Sequence, residues 1–391
     1  MAKIIICVRA RNEQRWLRFF FERMLIQTEQ DFEVVLVNNK STDLSEAVAL
    51  SYGATIVNID TYNPSNAINE GFDGAHSNGD AEFGIIISAH CIPTDQYWLE
   101  RLIRPMDDDD SIVGCYGRQV PMNFSNADNT RDLLFSFGNH SHYVADNIFF
   151  HNANSAIRLS YFRLNRFDET VDHIEDLLWA HQAIKNGRRL FYSADSVVWH
   201  SHGLHQHKNS SFRSKTVMQA HIGITGFDYP HEDLFEISNL NIAFVLDGNS
   251  DDTDRFEKRY QELDASFVWL NRSSENIFHD VKLALNDLRK QDGKFFDIVI
   301  FYSEKYECVS MSELLERLAT FFNTFSDGVM PVMELNHGIC KRINSTEAKL
   351  LNDPSFSQDM YMSNMGNFSV FWSDVFENKS IGDVAFVPFL G

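Results

Sequence analysis

The chain has 391 residues, 44% of them apolar and 33 of them phenylalanine, which is enough for two aromatic-rich cores. Its formal net charge of −21 excludes a broad nucleic-acid surface, because phosphate binding needs clustered lysine and arginine. No apolar run reaches the ~18–20 residues of a membrane span. The first apolar run is too short, and too soon followed by charge, for a signal peptide. Cys7, Cys91, Cys115, Cys308 and Cys340 are scattered and form no Cys-x-x-Cys pair, so they read as reduced, mostly buried thiols of a cytosolic protein.

In chain order, residues 3–8 form an apolar strand. Residues 13–26 space Trp16, Phe19, Phe20 and Met24 as a helix does. Residues 32–37 are a second strand. Ser41, Thr42 and Asp43 then offer N-cap side chains for a helix through Ser51. A strand over 54–59, a helix over 67–75 and a strand ending near His90 follow, with Thr94 placed to cap a helix bearing Trp98 and Leu99. Strand–helix repeats of this length imply a parallel sheet with helices on both faces. Residues 112–119 continue the strand pattern, and Arg118 and Gln119 end it beside a site. Residues 125–142 read as a polar loop. Residues 175–186 read as a helix stopped by Gly187, and 189–192 and 196–199 as two strands. Residues 203–236, rich in His, Lys, Ser and Gly, read as a tail or lid and then a linker. A second alternating unit begins at Asn241, with a helix near 277–289 and a strand over 296–302. The expected organisation is therefore 1–236 and 237–391, with no internal repeat.

Two features carry chemistry. Glu175 and Asp176 open an apolar helix, where the helix N-terminus favours a carboxylate. They are either a general base or simply the acids that start the helix. Ser88-Ala89-His90 ends a buried strand, the place where α/β sheets keep their ligands. Further on, WHSHGLHQHK carries four histidines without a nearby cysteine, which disfavours a dedicated zinc site.

Five stretches, in order, resemble the inverting family-two glycosyltransferases with a GT-A fold. They are IIICVRARNEQRWL, DFEVVLVNNKSTD, YNPSNAINEGFDGAHSNGD, FFHNANSAIRLSYF and FDETVDHIEDLLWAHQAIKNGRRLFYSADSVVWHSHG. The resemblance implies a GT-A (nucleotide-diphospho-sugar transferase, Rossmann-like) domain followed by a smaller α/β domain. It implies a nucleotide-sugar donor and a saccharide or lipid-linked saccharide acceptor. It places the catalytic base on Asp176, with Glu175 beside it, and donor contacts at Arg9, Arg11, Asn38, Asn39, Ser88 and Arg118. It places the sugar-facing contacts at Asn152, Asn154 and Arg158. The setting it implies is bacterial surface polysaccharide synthesis on the cytoplasmic side, soluble or peripheral at the inner membrane face. It leaves a homo-oligomer open.

The sequence departs from the family at Ser88 and His90, which stand where the family carries two metal-binding aspartates. Some GT-A enzymes use a DxH version, completed by a second histidine near the domain end. The resemblance thus implies Mn²⁺ or Mg²⁺ at His90 and His200, with His202 the alternative; the other reading is a hydrogen-bonded His90 and no metal. Asn38 and Asn39 replace the acids of the family's nucleoside turn. Residues 355–376, SFSQDMYMSNMGNFSVFWSDVF, resemble a stretch of acylneuraminate and pseudaminic acid cytidylyltransferases, without that family's basic phosphate loop. The second unit is therefore expected to be a degenerate nucleotidyltransferase-like module. The rival functions are a nucleotidyltransferase acting through that unit and a non-catalytic pseudo-glycosyltransferase.

Overall fold

Ile4 to Val8 are wholly buried, and a run apolar on both faces forms a strand only where helices cover both sides of a sheet. The computed structural model describes residues 2–125, 127–145, 148–171, 174–200, 237–248, 253–270, 277–303, 311–322, 328–331, 340–342, 348–350, 369–378 and 386–389. The chain divides into two units, Met1–Glu232 and Asp233–Gly391.

The first unit runs β1 (Ile4–Ala10), α1 (Gln14–Leu25), β2 (Phe32–Asn38), α2 (Ser45–Ser51), β3 (Thr55–Asn58), α3 (Pro64–Asp73), β4 (Phe83–Ser88) and β5 (Cys91–Pro93). It continues with α4 (Trp98–Asp108), β6 (Ile112–Pro121), α5 (Ala127–Ser136), β7 (His142–Tyr143), β8 (Asn154–Arg158), α6 (Leu159–Phe162), α7 (Glu175–Lys185) and β9 (Arg189–His200). The sheet order is β3-β2-β1-β4-β8-β6-β9-β5, with β7 on β9. The strands β3, β2, β1 and β4 are parallel, and β8 turns the sheet antiparallel. Ile5, Cys7, Val37, Phe72, Ile86, Ile157 and Trp179 share one core cluster. Asn63 caps α3 by accepting from the Asn66 N–H at 3.1 Å, with Pro64 at the first helical position. Gly187, at φ +73°, ends α7 as its sequence foretold.

Several local expectations are corrected. The polar stretch 125–142 contains the ten-residue helix α5, which the sequence hides because its buried Leu133 and Leu134 form only a short apolar patch. The two strands expected over 189–199 are one strand, β9. A register shift against β6 after Gly117 and Ser193 ejects Asp195, so a bulge looked like a break. Thr94 caps no helix; its hydroxyl donates to the Val197 carbonyl at 3.2 Å, and Tyr97 stands at the start of α4. Asp43 does not cap α2 as an N-cap residue but holds the Gln14 and Ser45 N–H groups, tying α1 to α2.

The second unit comprises β10 (Ile242–Asp247), α8 (Thr253–Arg259), β11 (Ala265–Trp269), α9 (Ile277–Asp292), β12 (Ile298–Ser303), α10 (Met311–Phe322) and β13 (Gly328–Pro331). It ends with β14 (Cys340–Arg342), β15 (Ala348–Leu350), β16 (Ser369–Trp372), α11 (Val375–Asn378) and β17 (Phe386–Phe389). Its main sheet has the order β11-β10-β12-β16-β13-β17, and β14 pairs with β15 separately. Phe244, Val245, Ile300 and Phe371 are buried in it. Glu377 on α11 takes ion pairs from Lys282 at 2.8 Å and Arg289 at 3.6 Å, both on α9. Residues 355–368 of the cytidylyltransferase-like stretch lie outside the described residues.

Candidate active site

The parallel strands of the first unit present their carboxyl ends together, and β1 and β4 bring Arg9 opposite Ser88. The start of β8 arrives antiparallel at the same end, with Asn154 opposite Ile87. The N-terminus of α7 completes the cluster. Arg9 donates to the Asn152 carbonyl at 2.9 Å and lies 3.8 Å from Oε1 of Glu175. The Asn152 amide donates to the same Glu175 oxygen at 3.3 Å. Glu175 is thereby buried, with its Oε1 held by Arg9 and Asn152.

Asp176 is placed differently. Its two oxygens accept the Asn152 N–H at 3.2 Å and the Leu177 N–H at 2.8 Å. Each oxygen retains further acceptor capacity, because a carboxylate offers about four lone-pair sites. Burial pushes its pKa above the ordinary carboxylate value, while the two N–H groups and Arg9 pull the other way. A base with a raised pKa and fixed orientation is suited to taking a proton from a hydroxyl.

At the same end of the sheet, His90 and His200 stack with ring centroids 5.3 Å apart and planes 10° apart. The antiparallel pairing of Cys91 with His200 sets them side by side. His90 Nδ1 is 2.8 Å from a Glu13 carboxylate oxygen, so that nitrogen carries a proton. The protonation of His200 follows from a backbone group. The Ala153 N–H donates to His151 Nδ1 at 3.2 Å, which makes that nitrogen an acceptor. The Gln119 amide nitrogen, 3.0 Å from the same His151 atom, must then donate to it. Its oxygen therefore faces His200 Nδ1, at 2.7 Å, and accepts a proton from it. Both stacked imidazoles thus hold their proton on Nδ1, with Nε2 as the acceptor nitrogen in the neutral rings. Metal-bound histidines commonly have this arrangement, the second nitrogen donating to a carboxylate or carbonyl oxygen. Among the described residues no group of three or more His, Cys, Asp or Glu could hold a metal ion. The two rings would need oxygens from a bound ligand to complete a coordination shell. His202 and the rest of WHSHGLHQHK lie outside the described residues.

The remaining expected site residues divide. Asn38 is buried; its amide donates to Glu46 at 3.0 Å and to Asn58 at 2.8 Å and accepts from the Ser41 N–H at 3.0 Å, so it builds the turn. Asn39 follows it at the surface of the same turn, beside Lys40 at φ +51°. Arg11 is exposed in the loop after β1. Arg118 is buried, its carbonyl taken by Asn154. Asn154 accepts from Trp98 Nε1 at 3.0 Å and donates to the Arg118 and Ser196 carbonyls, both at 3.2 Å, so its side chain joins three strands and a helix. Arg158 is corrected outright. It stands opposite Phe83, at the far end of β4 from Ser88, and donates to the Ile112 and Met106 carbonyls. A strand of five residues separates Asn154 from it by roughly 13 Å, so it cannot share that end of the sheet. Glu13 and His151 are site residues that the sequence reading missed. Their signal was position: each directly neighbours a site segment, after the first strand and before the Asn-Ala-Asn run.

A mixed sheet of this order, with its polar cluster at the carboxyl ends of β1 and β4 and an acid-bearing helix before the last long strand, is a GT-A domain. Residues 5–168 match the family described as Glycosyl transferase family 2. The O-antigen chain rhamnosyltransferase WbaN of Salmonella anatum is 25% identical over 202 residues, covering 48% of this chain and 62% of that protein. S. aureus TarS 1–349 in complex with UDP aligns with a TM-score of 0.43 at 16% identity, over 57% of this chain and 64% of that one. The mannosyltransferase PcManGT from Pyrobaculum calidifontis, in complex with GDP-Man and Mn²⁺, aligns at 0.40 and 14% identity, over 58% and 66%. The chain thus spans under two thirds of the length of the curated relative.

Proposed function

We propose that the first unit is an inverting glycosyltransferase that moves a sugar from a nucleotide-sugar to a hydroxyl of a saccharide or glycoconjugate. The observation that carries this reading is Asp176: a carboxylate of raised pKa, oriented by two backbone N–H groups at a helix N-terminus, at the carboxyl ends of a parallel sheet. The family match over residues 5–168 and the likeness to a rhamnosyltransferase support it. The likeness to an O-antigen chain rhamnosyltransferase also supports a role in assembling a bacterial surface polysaccharide.

In this mechanism Asp176 accepts the proton of the acceptor hydroxyl. The freed oxygen pair attacks the anomeric carbon, and the bond from that carbon to the diphosphate breaks on the opposite face. The leaving nucleotide keeps the bonding pair, and the anomeric configuration inverts. The Arg9–Glu175–Asn152 cluster holds the N–H that orients Asp176. A divalent cation, when bound, would neutralise the diphosphate, and His90 and His200 are the side chains that would hold it together with donor oxygens.

A thermal-shift screen of nucleotide-sugars, each with Mn²⁺ and with EDTA, identifies the donor, because a ligand of the folded state stabilises by mass action. Transfer of that sugar is then followed by NMR of the product. A retained anomeric configuration would overturn the inverting mechanism.

A further inference from the structure

The sheets of the two units share one strand order. In the first, β2, β1 and β4 are parallel, β8 is antiparallel to β4, β6 is antiparallel to β8, and β9 is parallel to β6. In the second, β11, β10 and β12 are parallel, β16 is antiparallel to β12, β13 is antiparallel to β16, and β17 is parallel to β13. Both sheets therefore turn antiparallel at the strand beside the parallel set. In the first unit this turn has a chemical consequence. The strand β8 starts at the carboxyl end of β4, with Asn154 opposite Ile87. The residues just before it return to the strand ends where Arg9 stands opposite Ser88.

Asn152 is brought there, and each of its polar groups is engaged inside the protein. Its N–H donates to Asp176 at 3.2 Å, and its carbonyl accepts from Arg9 at 2.9 Å. Its amide nitrogen donates to Glu175 Oε1 at 3.3 Å, and its amide oxygen accepts from the Ser155 hydroxyl at 3.1 Å. The residue is 2% exposed. A guanidinium is a rigid planar fork. One nitrogen of Arg9 takes the Asn152 carbonyl, while another lies 3.8 Å from the Glu175 oxygen that Asn152 also holds. Arg9, Asn152 and Glu175 thus close a ring of contacts that ties the end of β1 to the segment before β8 and to the first residue of α7. Asp176 is the next residue of α7.

The charges are arranged as economically as the contacts. A cation close to two acids can pair with either. Glu175 takes the guanidinium, so among the described residues Asp176 has no ion-pair partner. Burial raises the Asp176 pKa, the Asn152 and Leu177 N–H groups lower it, and Arg9 lowers it as well. At His151 burial lowers the pKa, Arg9 lowers it further, and Glu175 raises it. One fixed cation thus acts on two titrating groups.

We infer that Arg9 is the positioning residue of the transfer base: paired with Glu175 and bonded to Asn152, it fixes the N–H on which Asp176 rests and sets the charge around it. Arg9 and Asn152 act inside the protein, not on the donor diphosphate or the sugar. The inference rests on the reading of Asp176 as the base of a glycosyltransferase.

The full chain and its Arg9→Lys, Arg9→Gln and Arg9→Gln/Glu175→Gln variants test this with the nucleotide-sugar identified by thermal shift. The double variant guards against misfolding, because a buried carboxylate left unpaired is destabilising whereas removal of both charges is tolerated. Donor affinity should be unchanged in all three. Turnover should fall by ~10–10²-fold in both Gln variants, since the base is misplaced. Their acid limb of kcat/KM should move up by about one pH unit, because losing a nearby positive charge favours the protonated carboxyl. Arg9→Lys keeps the charge but not the fork, so it should lose turnover and keep the wild-type limb. Urea midpoints give a reading that needs no substrate. In the double variant both charges acting on His151 are gone, and that of Arg9 is the larger. The native pKa of His151 should then rise from about 4 towards 6.5, and the stability lost between pH 7 and 4 should shrink. A loss of donor affinity of about tenfold or more, with an unmoved limb, makes Arg9 a donor contact and overturns the inference alone. A limb that moves as far in Arg9→Lys as in the Gln variants also overturns it, and so does unchanged turnover in all three. Absence of transfer by the wild type with every nucleotide-sugar overturns it together with the reading of the first unit.

Discussion

His90 and His200 lie face to face, 5.3 Å between ring centroids, each with its Nδ1 committed to a fixed acceptor, Glu13 for one and Gln119 for the other. The pair is held by two different connections: a helix start for His90 and the strand β6 for His200. The same Gln119 reaches His151, one residue before the Asn152 whose N–H orients Asp176. One short segment, residues 151–152, thus links the histidine pair to Asp176.

Replacing Asp176 by Asn should leave donor binding nearly unchanged and lower turnover by ~10²–10⁴-fold. In the wild type, the acid limb of the kcat/KM profile should lie above pH 3.8, the ordinary aspartate value, because burial raises this group. A steady-state pH series with the identified donor checks both. Turnover near normal in the Asn variant would remove Asp176 from the mechanism.

Gln119→Leu should cost ~1–3 kcal/mol of stability, since it strips a partner from both His151 and the buried His200. It should also release the His200 tautomer. Long-range ¹H–¹⁵N spectra of the imidazoles report this directly: the wild type should show His200 protonated at Nδ1, and the variant a mixture. An unmixed Nδ1–H form in the variant would mean that Gln119 does not set the tautomer.

His151 should make the fold acid-sensitive. Burial first, and the positive charge of Arg9 second, hold its pKa down to about 4 from 6.5, with Glu175 opposing. The unfolded chain therefore binds this proton at a higher pH than the native state does. Stability from this group is complete above pH 6.5 and falls as pH drops towards 4, by up to ~3 kcal/mol. Urea midpoints between pH 7 and 4 measure the slope. His151→Asn, whose side-chain oxygen can replace the Nδ1 acceptor but does not titrate, should flatten it; an equally steep slope would assign the acid sensitivity to other groups.

Gly117→Ala should destabilise the first unit by ~1–3 kcal/mol. Its Cβ would stand 2.4 Å from the Ser196 carbonyl oxygen and 2.4 Å from the Asn154 amide nitrogen. The carbonyl is backbone of the bulged β9 and cannot step aside cheaply. A thermal midpoint equal to wild type would show that the bulge relaxes.

The alternation of buried strands and helices, the stop at Gly187 and the two acids opening α7 were legible in the sequence, because each depends on residues close together along the chain, whereas the start of α3 at Asn63 and Pro64 was read three residues late. So was the choice of His90 and His200 as neighbours, though only through resemblance to a family. Their proton positions were not legible, because these follow from a backbone N–H at Ala153 acting through two side chains from different strands and loops. Nor was the fate of Glu175 and Arg158, both plausible site residues by pattern: the first is closed off by Arg9, and the second is carried by an antiparallel strand to the wrong end of the sheet. The strand order common to the two units lay hidden for the same reason. Strand order and register are relations between distant segments, and core packing preserves them while exchanging nearly every apolar side chain, so only the assembled sheets reveal them.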